Sequence, residues 1–458
     1  MTGAVVSNKY VAVLGMARSG MALSLLLKKY GSKVLLSESK NNEIIAQSRA
    51  EMTAAGIMCE VGGHTSQVLN SDFIAISPGI PMDIDILEQA RAQGIPVFSE
   101  MEVSSWFCQV PIIAITGSNG KTTTTTLLGE ILNNAGINCK VGGNIGLPFA
   151  TIADQIEAPG FVVLEVSSFQ LEGIEQFKPF IAMILNFTPD HLDRYPTVEE
   201  YRLAKARIYE NMGEGDSLIL NADDLEAQKF MPHPDVKVVK FSNSENSEAS
   251  AFAANDTLNI RDKEKITPVI PVRDIGIPGP HNLANSAAAT LAAYIAGADL
   301  KKVASTLQSF KGVEHRMEKV AEINGINYIN DSKGTNVDAV VMALRSVESK
   351  VILIAGGKDK GGDFSVLLPE IKKKVIALIL VGEAADKIAI QLSNVVPIYR
   401  AGYDMAKAIK IASKLANRGE TVLLSPGCAS FDMFENFEQR GEKFKKEVLL
   451  LNNREARV

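Results

Sequence analysis

Chemistry is densest at Thr116-Gly117-Ser118-Asn119-Gly120-Lys121-Thr122, directly after the apolar run Ile112-Ile113-Ala114-Ile115. A strand that empties into a glycine turn, with a helix from Thr123 to Ala135 behind it, gathers backbone N–H groups and a helix N-terminus. Polyphosphate charge is stabilised there. Lys121 would reach the terminal phosphates, and the Thr122 hydroxyl would face a magnesium ion. The full phosphate-loop pattern carries an earlier glycine where this chain has Ile115, so the string fits the shorter Gly-x-x-Gly-Lys-Thr form. Without its context it reads as a glycine turn before a lysine; the strand and helix around it favour the phosphate loop.

Further candidates follow at the ends of other strands. Glu165 closes the run Phe161-Val162-Val163-Leu164, where a carboxylate beside a phosphate-loop strand suits magnesium better than a solvated strand end does. Asn186-Phe187-Thr188-Pro189-Asp190-His191 is rich in ligand types, although magnesium prefers oxygen and His191 alone reads as a loop histidine. Lys205 shares a helix face with Tyr201, Ile208 and Met212. It is either a lysine snorkelling at the edge of that face or one whose charge burial disfavours. In the second case it is able to take up carbon dioxide as a carbamate and become an oxygen ligand.

Gly15-Met16-Ala17-Arg18-Ser19-Gly20 resembles a dinucleotide-binding turn, but Ala17 stands at the middle glycine. It reads as a turn for a different nucleotide, with Ser37 and Glu38 at the next strand end, or as a turn that only supports the fold. Asn282 and Asn285 lie three apart on an Ala-rich helix, either facing a base or ribose together or with Asn282 as a cap. The loops Asn330–Asn336, Gly356–Asp363 and Ser425–Asp432 each follow a strand, which puts three lysines and several hydroxyls on one rim, suited to a dicarboxylate.

The elements that must position these residues form three blocks of alternating strand and helix, an α/β pattern with parallel sheets. The expected boundaries are 1–99, 100–312 and 313–458, and Ser242–Asp256 reads as a surface excursion or short hairpins. With 46% hydrophobic and 22% charged residues the chain is globular; a net charge of −6 gives no support for nonspecific nucleic-acid binding. Scattered Cys59, Cys108, Cys139 and Cys428 fit reduced thiols. No apolar run reaches membrane-spanning length and the first residues lack a leader pattern, so a cytoplasmic protein is expected.

Taken together these strings resemble the Mur ligases, ATP-dependent amide-forming enzymes of peptidoglycan assembly, over nearly the whole chain. Asp331-Ser332-Lys333-Gly334-Thr335-Asn336, Ser425–Asp432 and Asn436-Phe437-Glu438-Gln439-Arg440-Gly441 are similar to the branch that adds D-glutamate. The resemblance implies a Rossmann-like N-terminal domain for the UDP substrate, a central P-loop domain for ATP, and a Rossmann-like C-terminal domain for the incoming amino acid. It implies that Gly117, Ser118, Asn119, Gly120, Lys121, Thr122 and Thr123 hold ATP phosphates, with Asn282, Asn285, Arg316, Asp331 and Lys333 around the nucleotide. Magnesium would be held by Thr122, Glu165, His191 and carbamylated Lys205. Lys121, His191, Lys205 and Asn144 would be catalytic. Ala17, Arg18, Ser19, Ser37, Gly79, Asn144, Ser167 and Gln170 would line the site for UDP-N-acetylmuramoyl-L-alanine. Thr335, Lys360, Ser430 and Phe437 would contact D-glutamate. The Ser37-Glu38 pair departs from the Asp-Thr-like pair of the family. A monomer is expected. Rival readings are a related ligase adding another amino acid or a glutamyl tail, a nicotinamide-dependent dehydrogenase suggested by Gly15–Gly20, and a nucleotide-sensing protein without turnover.

Overall fold

Three sheets built mostly from short apolar strands set the architecture. The computed structural model describes residues 6–144, 146–190, 194–359 and 361–455. The first sheet contains β1 (Tyr10–Leu14), β2 (Lys33–Glu38), β3 (Met58–Val61), β4 (Phe73–Ile76) and β5 (Val97–Ser99), all parallel in the order β3-β2-β1-β4-β5. In β1 Val11 to Leu14 are all buried, as expected of a strand covered by helices on both sides. Chain order reverses at β1, whose neighbours are β2 and β4, and ligands of open parallel sheets bind beyond the strand ends at such a point.

The second sheet has nine strands. They are β6 (Ile112–Thr116), β7 (Cys139–Gly143), β8 (Phe161–Glu165), β9 (Ile181–Ile184), β10 (Ser217–Asn221), β11 (Lys237–Ser242), β12 (Ala249–Ala254), β13 (Thr257–Asp262) and β14 (Lys265–Pro271). Their order is β14-β13-β12-β11-β10-β9-β6-β8-β7, with antiparallel pairing confined to β12-β13-β14. The polar Ser242–Asp256 stretch is more than an excursion, because β12 within it pairs parallel to β11 and buries Ala251 and Phe252.

The third sheet runs β15-β16-β20-β17-β18-β19, with β15 (Glu318–Ile323), β16 (Ile326–Asn330), β17 (Val351–Gly356), β18 (Val375–Val381), β19 (Ile398–Gly402) and β20 (Thr421–Leu424). Only β15 is antiparallel. The two-residue side-chain period of a strand divides its core: Val351, Leu353, Leu378 and Leu380 pack on one face, Ile352, Ile354, Ile379 and Val381 on the other.

The described residues group as two compact units. One contains the first two sheets (residues up to Phe187, Glu199–Asp274, Ala284–Gln308); the other contains the third sheet with Thr188–Val198 and Ile275–Leu283. Within the first unit the two sheets are joined by the buried helix Glu100–Ser105. Glu102 accepts the backbone N–H groups of Glu175, Gln176 and Phe177 and the indole N–H of Trp106. Among the described residues no helix is long and apolar enough to cross a membrane. Among the described residues no disulfide joins the four cysteines.

Candidate active site

At the end of β6 the chain turns through Gly117 (φ 148°) and Gly120 (φ 84°), and the helix Lys121–Asn134 starts at once. These left-handed conformations strain any residue with a Cβ. Space is also exhausted: a Cβ on Gly120 would lie 2.3 Å from Asn285 Oδ1. Asn186, which the sequence offered only within a ligand-rich segment, holds the loop in shape. Its carbonyl accepts Ser118 N–H, its Oδ1 accepts Asn119 N–H at 2.8 Å, and its amide donates to Asn119 O. Lys121 Nζ donates to Gly117 O at 2.8 Å and Ser118 O at 3.0 Å, so its charge lies over the loop. Thr122 and Thr123 are buried on the first turn.

Three residues singled out on separate segments meet at the end of β8. Glu165, 1% exposed, accepts the Thr122 hydroxyl at 2.8 Å on Oε2 and the Asn144 amide at 2.8 Å on Oε1. Asn144 comes this close because Gly143 precedes it; a Cβ on Gly143 would sit 2.4 Å from Glu165 O. A buried hydroxyl and carboxylate are hard oxygen donors, so this set fits magnesium. Lys205, on the helix Val198–Ala206, is 2% exposed; its Nζ donates to Gly117 O at 3.1 Å and Thr116 Oγ1 at 3.4 Å and lies 4.7 Å from the Tyr201 ring centre. The apolar helix face inferred from the sequence therefore places this lysine against the phosphate loop. His191 lies outside the described residues. Ser167 and Gln170 form a capping box on the short helix Ser168–Leu171, each bonded to the other's backbone N–H.

In the first sheet the Gly15–Gly20 turn closes tightly. Gly15 N–H donates to Ser37 O, Ser77 Oγ donates to Gly15 O, and a Cβ on Gly20 would sit 1.8 Å from Gly15 O. Ala17, Arg18 and Gly79 are exposed and Ser19 half-buried at this rim. Ser37 is fully buried and bonded to Glu60 and His64.

In the second unit the three rim loops are tied together. Gly427 N–H donates to Gly334 O, Gly356 N–H to Pro426 O, and Lys358 and Ala429 exchange both backbone bonds. Arg440, 1% exposed, braces them: it donates to Ser332 Oγ at 3.0 Å, Ser332 O at 2.7 Å, Cys428 O at 3.1 Å and Ala429 O at 3.2 Å. Burial pulls its guanidinium down to about 10, still protonated at neutral pH. Asp331 accepts Ser425 Oγ at 2.8 Å and Met317 N–H at 3.3 Å; burial pushes its carboxyl up to about 6 against the pull of Arg316. Lys333 Nζ stands 5.0 Å from the Phe437 ring centre, Ser430 is buried, and Thr335 is half-buried. Asn282 donates to Pro278 O inside the first turn of the helix Pro280–Ile295, so it is not that helix's cap. Lys360 lies outside the described residues.

Fold and site together define an α/β protein with a P-loop phosphate site on one sheet, a nucleotide-type turn on a second and a polar three-loop rim on a third. Three family models match in sequence: "Mur ligase MurD-like, N-terminal domain" over 9–99, "Mur ligase middle domain" over 115–293 and "Mur ligase, glutamate ligase domain" over 315–428. The chain is 42% identical to the UDP-N-acetylmuramoylalanine--D-glutamate ligases of Acidobacterium capsulatum (96% of each chain covered) and Koribacter versatilis (99% of this chain, 100% of the relative). It belongs to the Mur ligase family. The fold is also that of the UDP-N-acetylmuramate-alanine ligase of Thermotoga maritima (TM-score 0.62, 18% identity, 96% and 99% covered) and of a pseudomurein peptide ligase from Methanothermus fervidus (TM-score 0.61, 19% identity, 97% and 100% covered).

Proposed function

We propose that this chain joins D-glutamate to UDP-N-acetylmuramoyl-L-alanine at the expense of ATP, in peptidoglycan precursor synthesis. The observation that carries the reading is the phosphate loop whose Thr122 hydroxyl meets the buried Glu165 carboxylate while Lys121 and Lys205 crowd its carbonyls. Relatives about 40% identical over nearly the full chain carry that ligase name.

A carboxylate and an amine do not condense in water, because the carboxylate is a poor electrophile with a poor leaving group. Transfer of the ATP γ-phosphoryl group to the L-alanine carboxylate gives an acyl phosphate. The D-glutamate amine attacks it, and the tetrahedral intermediate expels phosphate. Lys121 holds phosphate charge as it shifts between leaving ADP and acceptor, the kind of preorganised stabilisation that dominates such reactions. Thr122 and Glu165 would hold Mg2+, which when bound neutralises phosphate oxygens. Asn144, held by its hydrogen bond to Glu165, would orient the acyl group. Lys205 as its neutral amine would add to carbon dioxide, losing a proton to become a carbamate; its Nζ lies against the loop at Gly117 O, where that carboxylate would serve as an oxygen ligand. Lys360, Thr335 and Ser430 would hold the two carboxylates of D-glutamate, with Phe437 in contact with it, and Lys333 would lie at the nucleotide.

The test is phosphate release. It should require both UDP-N-acetylmuramoyl-L-alanine and D-glutamate; release with L-glutamate, or without the UDP substrate, refutes the reading.

A further inference from the structure

Ser37 and Glu38 close β2, and the structure surrounds Ser37 with groups no role above uses. Ser37 Oγ lies 2.6 Å from Glu60 Oε1 and 2.6 Å from His64 Nδ1. A hydroxyl has one proton, so it can donate to only one of these partners. Burial works to raise the Glu60 carboxyl, but bonds from Ser37 and Thr65 outweigh it and hold the group below its ordinary value, as an ionised acceptor. The Ser37 proton therefore goes to Glu60, and His64 must donate Nδ1–H to Ser37. Burial also keeps the imidazole below its ordinary value, opposed by Glu60 and Glu38, so it is neutral at pH 7. The tautomer is thereby fixed, and the capacity left to His64 is an acceptor lone pair at Nε2. Among the described residues Nε2 has no hydrogen-bond partner.

The placement is the strand end beyond which a nucleoside lies in such sheets. Gly15 N–H bonds Ser37 O, and Met16 N–H bonds the Glu38 carboxylate at 3.0 Å, so the end of β2 is fastened to the nucleotide turn. Gly62 and Gly63 N–H groups bond Glu38 O, which folds the segment after β3 over the same strand end and delivers His64 beside Ser37. A Cβ on Gly63 or Gly79 would meet nothing within 4 Å, so the rim is open there. In such sheets the nucleoside lies beyond the end of the second strand while the diphosphate sits at the first turn.

We propose that His64, fixed by Ser37 and Glu60, selects the uracil base by accepting its imide N3–H at Nε2. This rests on the UDP-substrate reading above. Cytosine presents an N3 lone pair at that position, which an acceptor rejects, whereas uracil presents a proton. Protonated His64 would donate from Nε2 and reverse the preference.

The test is calorimetric titration of the full chain with UDP and with CDP. Wild type should favour UDP, and His64→Ala should reduce that preference about tenfold, the worth of one good hydrogen bond. Ser37→Ala, which frees the tautomer, should reduce it by less. His64→Gln, which offers a carbonyl acceptor, should retain most of it, and this guards against simple misfolding. In wild type the preference should also decline as pH falls through the imidazole titration, and in His64→Ala it should not. An unchanged preference in His64→Ala, or one insensitive to pH in wild type, overturns the proposal alone. Failure of wild type to bind UDP overturns the substrate reading together with it.

Discussion

Lys121 spends two of its donors close to home, on the carbonyls of Gly117 and Ser118, and that placement fixes where phosphate oxygens must lie to compete for it. Replacing it by Ala should lower turnover on the order of 100-fold or more while leaving the fold intact, as for other charge stabilisers of developing anions; near-normal turnover would remove Lys121 from the mechanism. Lys205 is a different case because its proposed chemistry is an acquired carboxylate. Turnover lost in Lys205→Ala should be partly restored by formate or acetate, read as rate against added carboxylate, and absence of any rescue counts against the carbamate. Gly20 acts through geometry alone. With a Cβ 1.8 Å from Gly15 O, Gly20→Ala must push the turn apart, and we expect weaker UDP-substrate binding and a lower melting temperature. Equal affinity and melting temperature would mean the turn relaxes freely.

At the scale of elements, the strands that hold the site were legible because each is a continuous apolar run: β1, β4, β6, β8, β17, β18 and β20 are buried almost throughout. Edge strands were not. β3 has no fully buried residue, and β15 and β19 mix exposed with half-buried positions, so neither an apolar run nor a clean alternation marks them. The three rim loops were legible from their position after strands, and the structure joins them. Their brace was not, since an arginine in a polar string normally reads as solvated. Asn186 and His64 were equally silent, because their roles lie in bonds to residues distant in sequence. Arg440→Ala would take the guanidinium donor from the carbonyls of Ser332 and Cys428 and leave that of Ala429 with the Lys358 N–H, at a cost of ~3 kcal/mol in urea unfolding. Arg440→Lys keeps the charge but not the planar fork, and should raise KM for D-glutamate more than it lowers stability. If KM is unmoved in Arg440→Lys, the brace serves folding only.

At the scale of the molecule, a chain of net charge −6 binds anionic substrates through local groups, and its buried titratable groups set how stability answers to pH. His281, pushed down to about 4 by burial and by Arg316, stays neutral when folded and takes stability away as pH falls below its ordinary range. Glu100 acts in the opposite sense. Its Oε1 accepts Ala150 N–H and Ser104 Oγ, its Oε2 has no partner among the described residues, and burial pushes the carboxyl up to about 7 from an ordinary 4.5. A raised carboxyl makes the folded state bind a proton that the unfolded state has released, so its contribution falls as pH rises from 4.5 to 7 and is lowest above. Glu100→Gln keeps the accepting oxygen and removes the charge. The variant should be more stable than wild type at pH 8 by about 3 kcal/mol, the free energy of that shift, and the difference should fade below pH 4.5. Thermal unfolding of both proteins across that range reads the effect directly. A difference that does not depend on pH would mean the Glu100 carboxyl titrates in the folded protein as it does in the unfolded chain, hydrated in a way its burial does not suggest.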